Sequence, residues 1–457
     1  AREPNFYNGV QKERVFENAF LEYGCMKSMT APLNRKMYFL TDPIEDRAKD
    51  WLDYKINYQA TFAAQLMYPM VDTYEVMPWP DRIYQGLYRI AGTDQKERIP
   101  RSYSTQMQTM VNTLNDIRTS DKKITGTQGI GVLMANSLMF QRFPNHNGYD
   151  DPQFSSFYGQ TLPLLKRGIP VELVHMENTP FKETFKGLHI LVMSYSNMKP
   201  MKPEYHNYLA DWVKKGGILI YCGEDIDPYQ TVLEWWNTDG NEYKAPSEHL
   251  FEKMNLSRNP GEGTYRYGKG TVIVMREDPK HFVLKAGNDQ KYFETIASAY
   301  QKKIGKEMET KNSFIVERGP YTIAAVMDES VSKEPLTLSG LYIDLFDKDL
   351  PVLTSKQIQP GEQGYLYDLN KVSGKIKAKV LCGASRIYDE KVSKQSYSFV
   401  AKSPINTTNV SRVLLPRKPE KIRVNGKEEQ PEWDESSKTL LLSFENDPSG
   451  VNVSIEW

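Results

Sequence analysis

The segment YLADWVKKGGILIYC, residues 208–222, joins the end of a helix to a strand. Apolar residues recur at helical spacing from Tyr205 to Val213, which predicts a helix over residues 203–215. The glycine pair Gly216–Gly217 is a typical end of such a helix, because glycine readily adopts the left-handed backbone found there. The uninterrupted apolar run 218–222 then predicts a strand that is covered on both faces, as in a parallel sheet.

Helices and strands alternate on both sides of this segment. Strands are predicted at 129–134, 171–175, 187–193 and 218–222, helices at 157–167, 203–215 and 289–304, and a hairpin arm at 266–275. This alternation is typical of an open, mostly parallel sheet. Residues 121–308 are therefore predicted to form a Rossmann- or flavodoxin-like α/β domain.

The first 120 residues show the same alternation over a shorter length. Helices are predicted at 10–29, 47–66 and 102–117, and strands at 36–42 and 71–77. Two parallel strands cannot bury both faces of their sheet, whereas a closed (β/α)8 barrel needs eight. Residues 1–120 are therefore predicted to be the C-terminal βα units of such a barrel, and its other part is expected from preceding sequence or from a partner chain.

From about residue 312 the pattern changes to short β-rich runs separated by turns. Asn425-Gly426 between two such runs is a strong hairpin signal. Residues 309–457 are predicted to form an antiparallel β-sandwich, as one large unit or two small ones. The predicted fold class is thus α/β plus all-β.

Bulk composition excludes several classes of function. The 457 residues include 58 Lys+Arg and 58 Asp+Glu, and this balance argues against nucleic acid as the main partner. No apolar run approaches the roughly 20 residues of a membrane helix. Cys25, Cys222 and Cys382 are too few and too far apart for a disulfide framework or a zinc site. We expect no metal and no cofactor.

Three segments resemble (β/α)8-barrel glycoside hydrolases, particularly those of the beta-galactosidase type that carry a trimerisation domain. They are residues 208–221 with the preceding 185–193, the terminal run from Arg423 to Leu440, and Tyr74–Arg82. The first is similar to the helix–glycine–strand segment of the trimerisation domain, itself similar to class I glutamine amidotransferase folds. The resemblance implies that this chain is the C-terminal portion of a glycoside hydrolase, with a carbohydrate substrate and a possible homo-oligomer.

The resemblance also implies which carboxylates act. Glycoside hydrolysis uses a pair of them, and in a barrel they lie at the carboxyl ends of strands. Asp42 falls on the seventh strand and Glu75 on the eighth, counted back from the end of the barrel. The family's nucleophile is a Glu at the end of strand seven, where this chain has Asp42, and its general acid lies on strand four, which this sequence does not contain. The alternatives are a turn role for Asp42 and a structural ion pair of Glu75 with Arg82.

Three further residues are candidates for substrate binding. Trp79 lies between two prolines and suits stacking on a sugar ring, or it is a lid packed against neighbouring loops. Asp81 and Arg82 are candidates for hydrogen bonds to sugar hydroxyls, or they pair with each other.

Two rival functions stay open at this point. One is a non-catalytic glycan-binding or scaffold protein with the same architecture, which the Asp at the expected Glu position favours. The other is an amidotransferase-like hydrolase with Cys222 as nucleophile, but the Ile-Tyr-Cys-Gly-Glu context lacks the glycine that a nucleophile elbow needs before the cysteine. A periplasmic, cell-surface or secreted location is favoured if the source is bacterial.

Overall fold

The computed structural model describes residues 14–33, 35–42, 49–76, 81–139, 154–372 and 377–457. The chain divides into two compact units. The α/β unit comprises Ala1–Met37, Ile124–Phe314 and Met327–Lys333, and the β-rich unit comprises Tyr38–Lys123, Ile315–Val326 and Glu334–Trp457. The division into three domains made from the sequence stays a prediction.

The α/β unit is built on a six-stranded sheet. Its strands, in spatial order, are Glu172–His175, Ile130–Met134, Ile190–Met193, Ile218–Cys222, Gly270–Met275 and Gly263–Tyr267. The first five pair in parallel, and the last is antiparallel to its neighbour. Every residue of the three central strands is buried, as continuous apolar runs in a parallel sheet require.

One helix of the α/β unit ends at a pair of glycines. The helices of this unit are Val15–Thr30, Ser155–Leu165, Tyr205–Lys214, Pro246–Lys253, His281–Leu284 and Gln290–Ile304. After Lys214 the chain turns through Gly216, whose φ is 121°. A Cβ on Gly217 would stand 2.5 Å from the Trp212 ring. Both glycines are therefore required, one by backbone conformation and the other by close packing.

The N-terminal part of the β-rich unit contains a parallel two-stranded sheet, formed by Phe39–Thr41 and Tyr74–Val76. Its helices are Trp51–Leu66, Asp81–Tyr84 and Arg101–Thr113, and its hairpin consists of Leu87–Arg89 and Lys96–Arg98. Asp50 caps the first of these helices by accepting a hydrogen bond from the Asp53 backbone N–H at 2.9 Å.

Three sheets make up the rest of the β-rich unit. The strands of the first sheet, in spatial order, are Ser313–Arg318 (which spans the boundary between the two units), Tyr321–Val326, Gln363–Asp368, Leu336–Asp344 and Val352–Ile358. Those of the second are Lys379–Gly383, Thr408–Leu414, Thr439–Glu445 and Glu432–Asp434. Those of the third are Arg386–Val392, Ser396–Lys402, Val451–Glu456, Lys421–Val424 and Lys427–Glu429. One apolar core joins the second sheet to the third, and a separate one forms within the first. The predicted Asn425-Gly426 turn is present, with φ of 47° and 80°.

Within the described ranges, no helix combines the length and the apolar character that crossing a membrane requires.

Candidate functional site

The parallel strand pair of the β-rich unit carries both predicted catalytic carboxylates. Its register pairs Phe39 with Tyr74, Leu40 with Glu75 and Thr41 with Val76. Because side chains alternate along a strand, Leu40 and Glu75 share one face of this sheet. Asp42 follows the last residue of the first strand, at the edge where catalytic groups of a barrel lie.

One face of this pair packs against the helix that connects the two strands. Phe39 and Thr41 are buried, and the Thr41 hydroxyl donates a hydrogen bond to Gln65 Oε1 on the helix Trp51–Leu66. The Phe39 ring lies 5.7 Å from that of Tyr68 in an edge-on contact. Strand, helix and strand therefore form one packed βαβ unit.

The buried Arg318 side chain holds the second strand to this helix. Its guanidinium donates to the Val71 carbonyl and to the Tyr74 hydroxyl, both at 2.6 Å, and to the Leu66 carbonyl at 3.4 Å. Leu66 ends the helix, where carbonyl groups lack helical partners and a cation is favoured. Burial raises the pKa of Tyr74 to about 12, although Arg318 opposes the shift. Sequence reasoning missed Arg318, because its partners lie more than 200 residues away in the chain.

The opposite face of the pair is open among the described residues. Leu40 is 45% exposed, Tyr38 at the strand entrance is 54% exposed, and Glu75 is exposed. Parallel sheets are normally covered on both faces. An apolar side chain and a carboxylate therefore lie side by side on a sheet face whose described side chains are largely exposed.

Arg82 lies close to Asp42, and not to Glu75. Its Nη1 atom is 3.6 Å from Asp42 Oδ2, and both side chains are about one-third exposed (35% and 27%). The alternative of a buried ion pair between Glu75 and Arg82 is wrong, because the Glu75 side chain is exposed. The ion pair that the structure describes for the Arg82 guanidinium is with Asp42. The structure thus brings Asp42, Arg82 and the Glu75 strand to one sheet, in an arrangement that the sequence indicated only in part.

The side chains of two predicted substrate-binding residues lie outside what the structure describes. Trp79 lies outside the described residues. Asp81 begins the short helix Asp81–Tyr84, and its side chain lies outside what the structure describes. Their roles stay predictions.

A second polar region lies at the carboxyl edge of the six-stranded sheet. Lys199 and Asp227 form a fully buried ion pair at 2.7 Å, and the Lys199 ammonium also donates to the Tyr195 carbonyl. Asp227 accepts further hydrogen bonds from the Gln230 side chain and the Tyr229 backbone. This network satisfies its own charges, which is typical of a structural site.

Two histidines extend this polar region. His206 Nδ1 and His249 Nδ1 are 2.8 Å apart, and the Tyr195 hydroxyl is hydrogen-bonded to His206 Nε2. Burial, reinforced by the neighbouring His249, holds the pKa of His206 well below its usual value. Burial also lowers the pKa of His249 to about 4. Since one ring nitrogen of the pair must donate and the other accept, the neutral forms fit this geometry.

The geometry does not favour a thiol nucleophile. Cys222 is fully buried against Met275, and burial raises its pKa far above that of a free thiol. Cys25 Sγ lies 3.9 Å from His175 Nε2, but burial raises the pKa of Cys25 to about 11 and lowers that of His175 to about 4. A reactive cysteine needs the opposite shifts.

Across the residues that the structure describes, no group of three or more His, Cys, Asp or Glu side chains is arranged to hold a metal ion.

No protein-family model and no curated protein matches this chain. Among solved structures, the chain is similar to the beta-galactosidase from Bacillus circulans sp. alkalophilus, with 9% identity over 80% of this chain and 59% of that chain, at a TM-score of 0.44. It is also similar to a GH42 beta-galactosidase from G. stearothermophilus, with 10% identity, 80% and 59% coverage and a TM-score of 0.45. A rhamnosidase from Novosphingobium matches at 9% identity over 99% of this chain and 46% of that chain, at a TM-score of 0.39.

The chain therefore spans 59% of the length of these beta-galactosidases. With identities near 10% and TM-scores below 0.5, these similarities transfer neither a residue role nor an activity to this chain.

Proposed function

We propose that this chain is the C-terminal portion of a glycoside hydrolase whose catalytic barrel includes the strands Phe39–Thr41 and Tyr74–Val76. The observation that carries this proposal is the open face of the parallel pair, on which Leu40 and Glu75 are neighbours in register. In a (β/α)8 barrel the helices cover the outer face of each strand, and the inner face packs against the other strands. Two barrel strands without the other six would have a covered outer face, next to the helices, and an exposed inner face. The strand pair of this chain has this arrangement.

The missing barrel strands are the partner that this face requires. They come from another part of the same gene product or from a partner chain, and they cover Leu40 and Tyr38 on the inner face. Leu40 is 45% exposed, so its further burial contributes a fraction of the roughly 1.5–3 kcal/mol that a fully buried leucine gains, and this favours closure.

The carboxylates then take up the roles that glycoside hydrolysis needs. For regular strands the Cα atoms of Asp42 and Glu75 are roughly 8 Å apart, from strand spacing and rise. Both side chains extend beyond their Cα atoms, so this spacing allows the carboxyl groups to reach the separation of about 5–9.5 Å that paired carboxyl groups have in glycoside hydrolases. We assign to Asp42, held by Arg82, the stabilisation or trapping of the oxocarbenium-like centre, and to Glu75 a role in proton transfer. Trp79, Asp81 and Arg82 are assigned to the sugar subsite.

The α/β unit is assigned a structural role that includes contacts in a homo-oligomer. The structural role is supported by the carboxyl edge of its sheet, where Lys199 and Asp227 satisfy one another inside the protein. Light scattering of the full-length protein tests the oligomer: a monomer at micromolar concentration contradicts this part of the proposal.

The test of catalysis is mutagenesis of the full-length gene product. Hydrolysis of a panel of nitrophenyl glycosides is measured for Asp42→Asn and Glu75→Gln. Each substitution preserves shape, and we expect kcat to fall roughly 10²–10⁴-fold, the range of a lost acid–base or charge-stabilising group. Asp94→Asn and Glu97→Gln serve as matched controls, since both residues are exposed in or beside the hairpin of the same unit. Turnover close to that of the wild type in both test variants overturns the assignment.

A non-catalytic glycan-binding protein is the second candidate, and the ion pair between Asp42 and Arg82 favours it. A carboxylate already engaged by a guanidinium is less available to a developing positive charge. Saturable binding of oligosaccharides by the wild type, with no turnover on any member of the panel, identifies this alternative.

A further inference from the structure

A polar groove in the β-rich unit lies apart from the strand pair that carries Asp42 and Glu75. Its volume is about 380 Å³, within the roughly 300–1,000 Å³ of small-molecule sites. One wall is the end of the helix Arg101–Thr113 with its following turn Leu114–Asp116. The other wall is formed by the strands Lys379–Gly383 and Arg386–Val392.

Both strands of that wall are bulged where they line the groove. In the first, Val380 pairs with Val413 but Cys382 pairs with Arg412, so Leu381 is an extra residue. In the second, the register with its neighbour shifts by one residue between Tyr388 and Lys391.

Asp389, inside this second bulge, has a φ of 54°, a conformation that a residue other than glycine adopts at a cost. Bulges of this kind re-aim side chains and are enriched next to functional sites. Two such bulges on neighbouring stretches of one wall indicate a shaped site.

Two carboxylates line the groove from opposite walls. Asp116 Oδ2 accepts a hydrogen bond from the Tyr321 hydroxyl at 3.3 Å, and Glu390 Oε2 accepts one from the Tyr397 hydroxyl. Among the residues that the structure describes, the second oxygen of each carboxylate has no protein donor. Each carboxylate is therefore oriented by a tyrosine and keeps an acceptor for a ligand.

The other groups at the groove are donors and an aromatic ring. Arg386 is exposed, and it makes no ion pair with any described residue. The Asn112 amide is anchored by donating to the Gly383 carbonyl at 2.9 Å. The Tyr388 ring is 44% exposed, with the Lys402 ammonium 5.5 Å from its centroid.

We propose that this groove binds a neutral saccharide, independently of the catalytic site proposed above. Oriented carboxylates, an amide and a guanidinium are the groups that hydrogen-bond neighbouring hydroxyls, and an exposed tyrosine packs against the apolar face of a sugar ring. The mixture of two carboxylates with nearby Arg386 and Lys402 gives no strong excess of either charge, which suits an uncharged ligand.

Binding is measured by titration calorimetry of the full-length protein carrying Asp42→Asn and Glu75→Gln, so that turnover does not consume the ligand. The probes are galactobiose, cellobiose, xylobiose and maltotriose, with mannitol as a polyol that lacks a ring. We expect at least one disaccharide or trisaccharide to saturate the site, whereas mannitol does not. Tyr388→Ala is expected to weaken that binding up to roughly tenfold, and Tyr388→Phe, which keeps the ring, to preserve it.

Asp116→Asn tests the opposite wall and is expected to weaken binding several-fold. The matched control is Tyr208→Ala, since Tyr208 is a similarly exposed tyrosine (39%) on a helix of the α/β unit. Binding that is unchanged in both Tyr388→Ala and Asp116→Asn overturns the proposal, as does the absence of saturable binding by all four sugars. Either result leaves the catalytic proposal intact, because that proposal depends on turnover by the protein with native Asp42 and Glu75.

Discussion

The molecule contains two parallel sheets that differ in how their faces are covered. In the α/β unit, the central strands Ile130–Met134, Ile190–Met193 and Ile218–Cys222 are buried at every residue. In the β-rich unit, Phe39–Thr41 alternates between buried and exposed, and Tyr74–Val76 carries an exposed glutamate. The central strands of the first sheet are covered on both faces, whereas the second sheet, among the residues that the structure describes, has one buried face and one face with exposed side chains.

The ion pairs next to the two sheets also differ in how far they are buried. Near the first, Lys199 and Asp227 neutralise each other in a closed, buried network. Near the second, Asp42 and Arg82 form a longer, partly exposed pair. The first pair is enclosed by the protein, whereas the second lies partly exposed beside the strand pair to which the catalytic proposal refers.

The largest expected effect on stability comes from breaking the buried ion pair between Lys199 and Asp227. Lys199→Met leaves Asp227 as an uncompensated buried charge, and we expect the free energy of unfolding of the α/β unit to fall by about 3–5 kcal/mol. Arg82→Gln, at the exposed pair, is expected to cost about 0–1 kcal/mol. Urea unfolding followed by fluorescence measures both.

The double variant Lys199→Met/Asp227→Leu is the control for this comparison. It removes both charges, and we expect it to be more stable than Lys199→Met alone. Equal costs for Lys199→Met and Arg82→Gln would break the contrast between a closed and an open polar site.

Leucine truncation is expected to distinguish the two sheets next. Leu219 is fully buried, so Leu219→Ala should cost about 2–5 kcal/mol. Leu40 is 45% exposed, and Leu40→Ala in the 457-residue chain should change stability by no more than about 0.5 kcal/mol. A cost at Leu40 as large as that at Leu219 would show that the strand pair is already covered in this chain.

Acid is expected to destabilise the α/β unit through its histidines. Burial lowers the pKa of His175 and of His249 to about 4, from 6.5 in the unfolded chain. The unfolded state then binds more protons between these values, so the free energy of unfolding should decrease as pH falls from about 6.5 to about 4. Unfolding curves at several pH values measure this slope, and His175→Gln with His249→Gln should reduce it.

Glu17 is expected to change the pH dependence of stability in the direction opposite to that of the two histidines. Burial raises its pKa to about 7, although the carboxylate accepts a hydrogen bond from the Asp328 backbone at 2.7 Å. The stability that Glu17 contributes is therefore present below about 4.5 and is lost as pH rises towards 7. Glu17→Gln should remove this component and leave the histidine slope steeper; an unchanged pH profile in Glu17→Gln contradicts the assignment.

The smallest expected effect is that of thiol reagents. Cys222 is fully buried, and its pKa is raised by burial, so iodoacetamide should not modify it in the folded protein. Mass spectrometry should find Cys222 alkylated only in urea, and the glycoside hydrolysis proposed for the full-length protein should be unaffected by treatment of the native protein. Modification of Cys222 with loss of activity would instead support the amidotransferase-like hypothesis.

Elements with a strong and long hydrophobic pattern were predictable from the sequence. The strand Ile218–Cys222 lies where it was predicted, and the predicted helix over 289–304 is observed as Gln290–Ile304. The strand Arg386–Val392 was not predicted, because it is an edge strand rich in charged residues, and edge strands carry such residues to avoid unwanted pairing.

The candidate site was predictable only in part. Strand ends can be located from apolar runs, so the positions of Asp42 and Glu75 near the ends of parallel strands followed from the sequence. The pairing of Asp42 with Arg82 and the clamp formed by Arg318 depend on tertiary contacts that no local pattern encodes. The groove beside Tyr388 depends on two β-bulges, which alter register without a clear sequence signal.

The most direct test of the central claim is the accessibility of position 40. A thiol introduced by Leu40→Cys is labelled with a maleimide in the 457-residue chain and in the full-length protein, with Leu87→Cys, exposed in the hairpin, as the control. If the open face is the inner face of a barrel, the thiol at position 40 should react readily in the chain alone and slowly in the full-length protein, while position 87 reacts in both. Equal, rapid labelling at position 40 in both proteins would contradict the account.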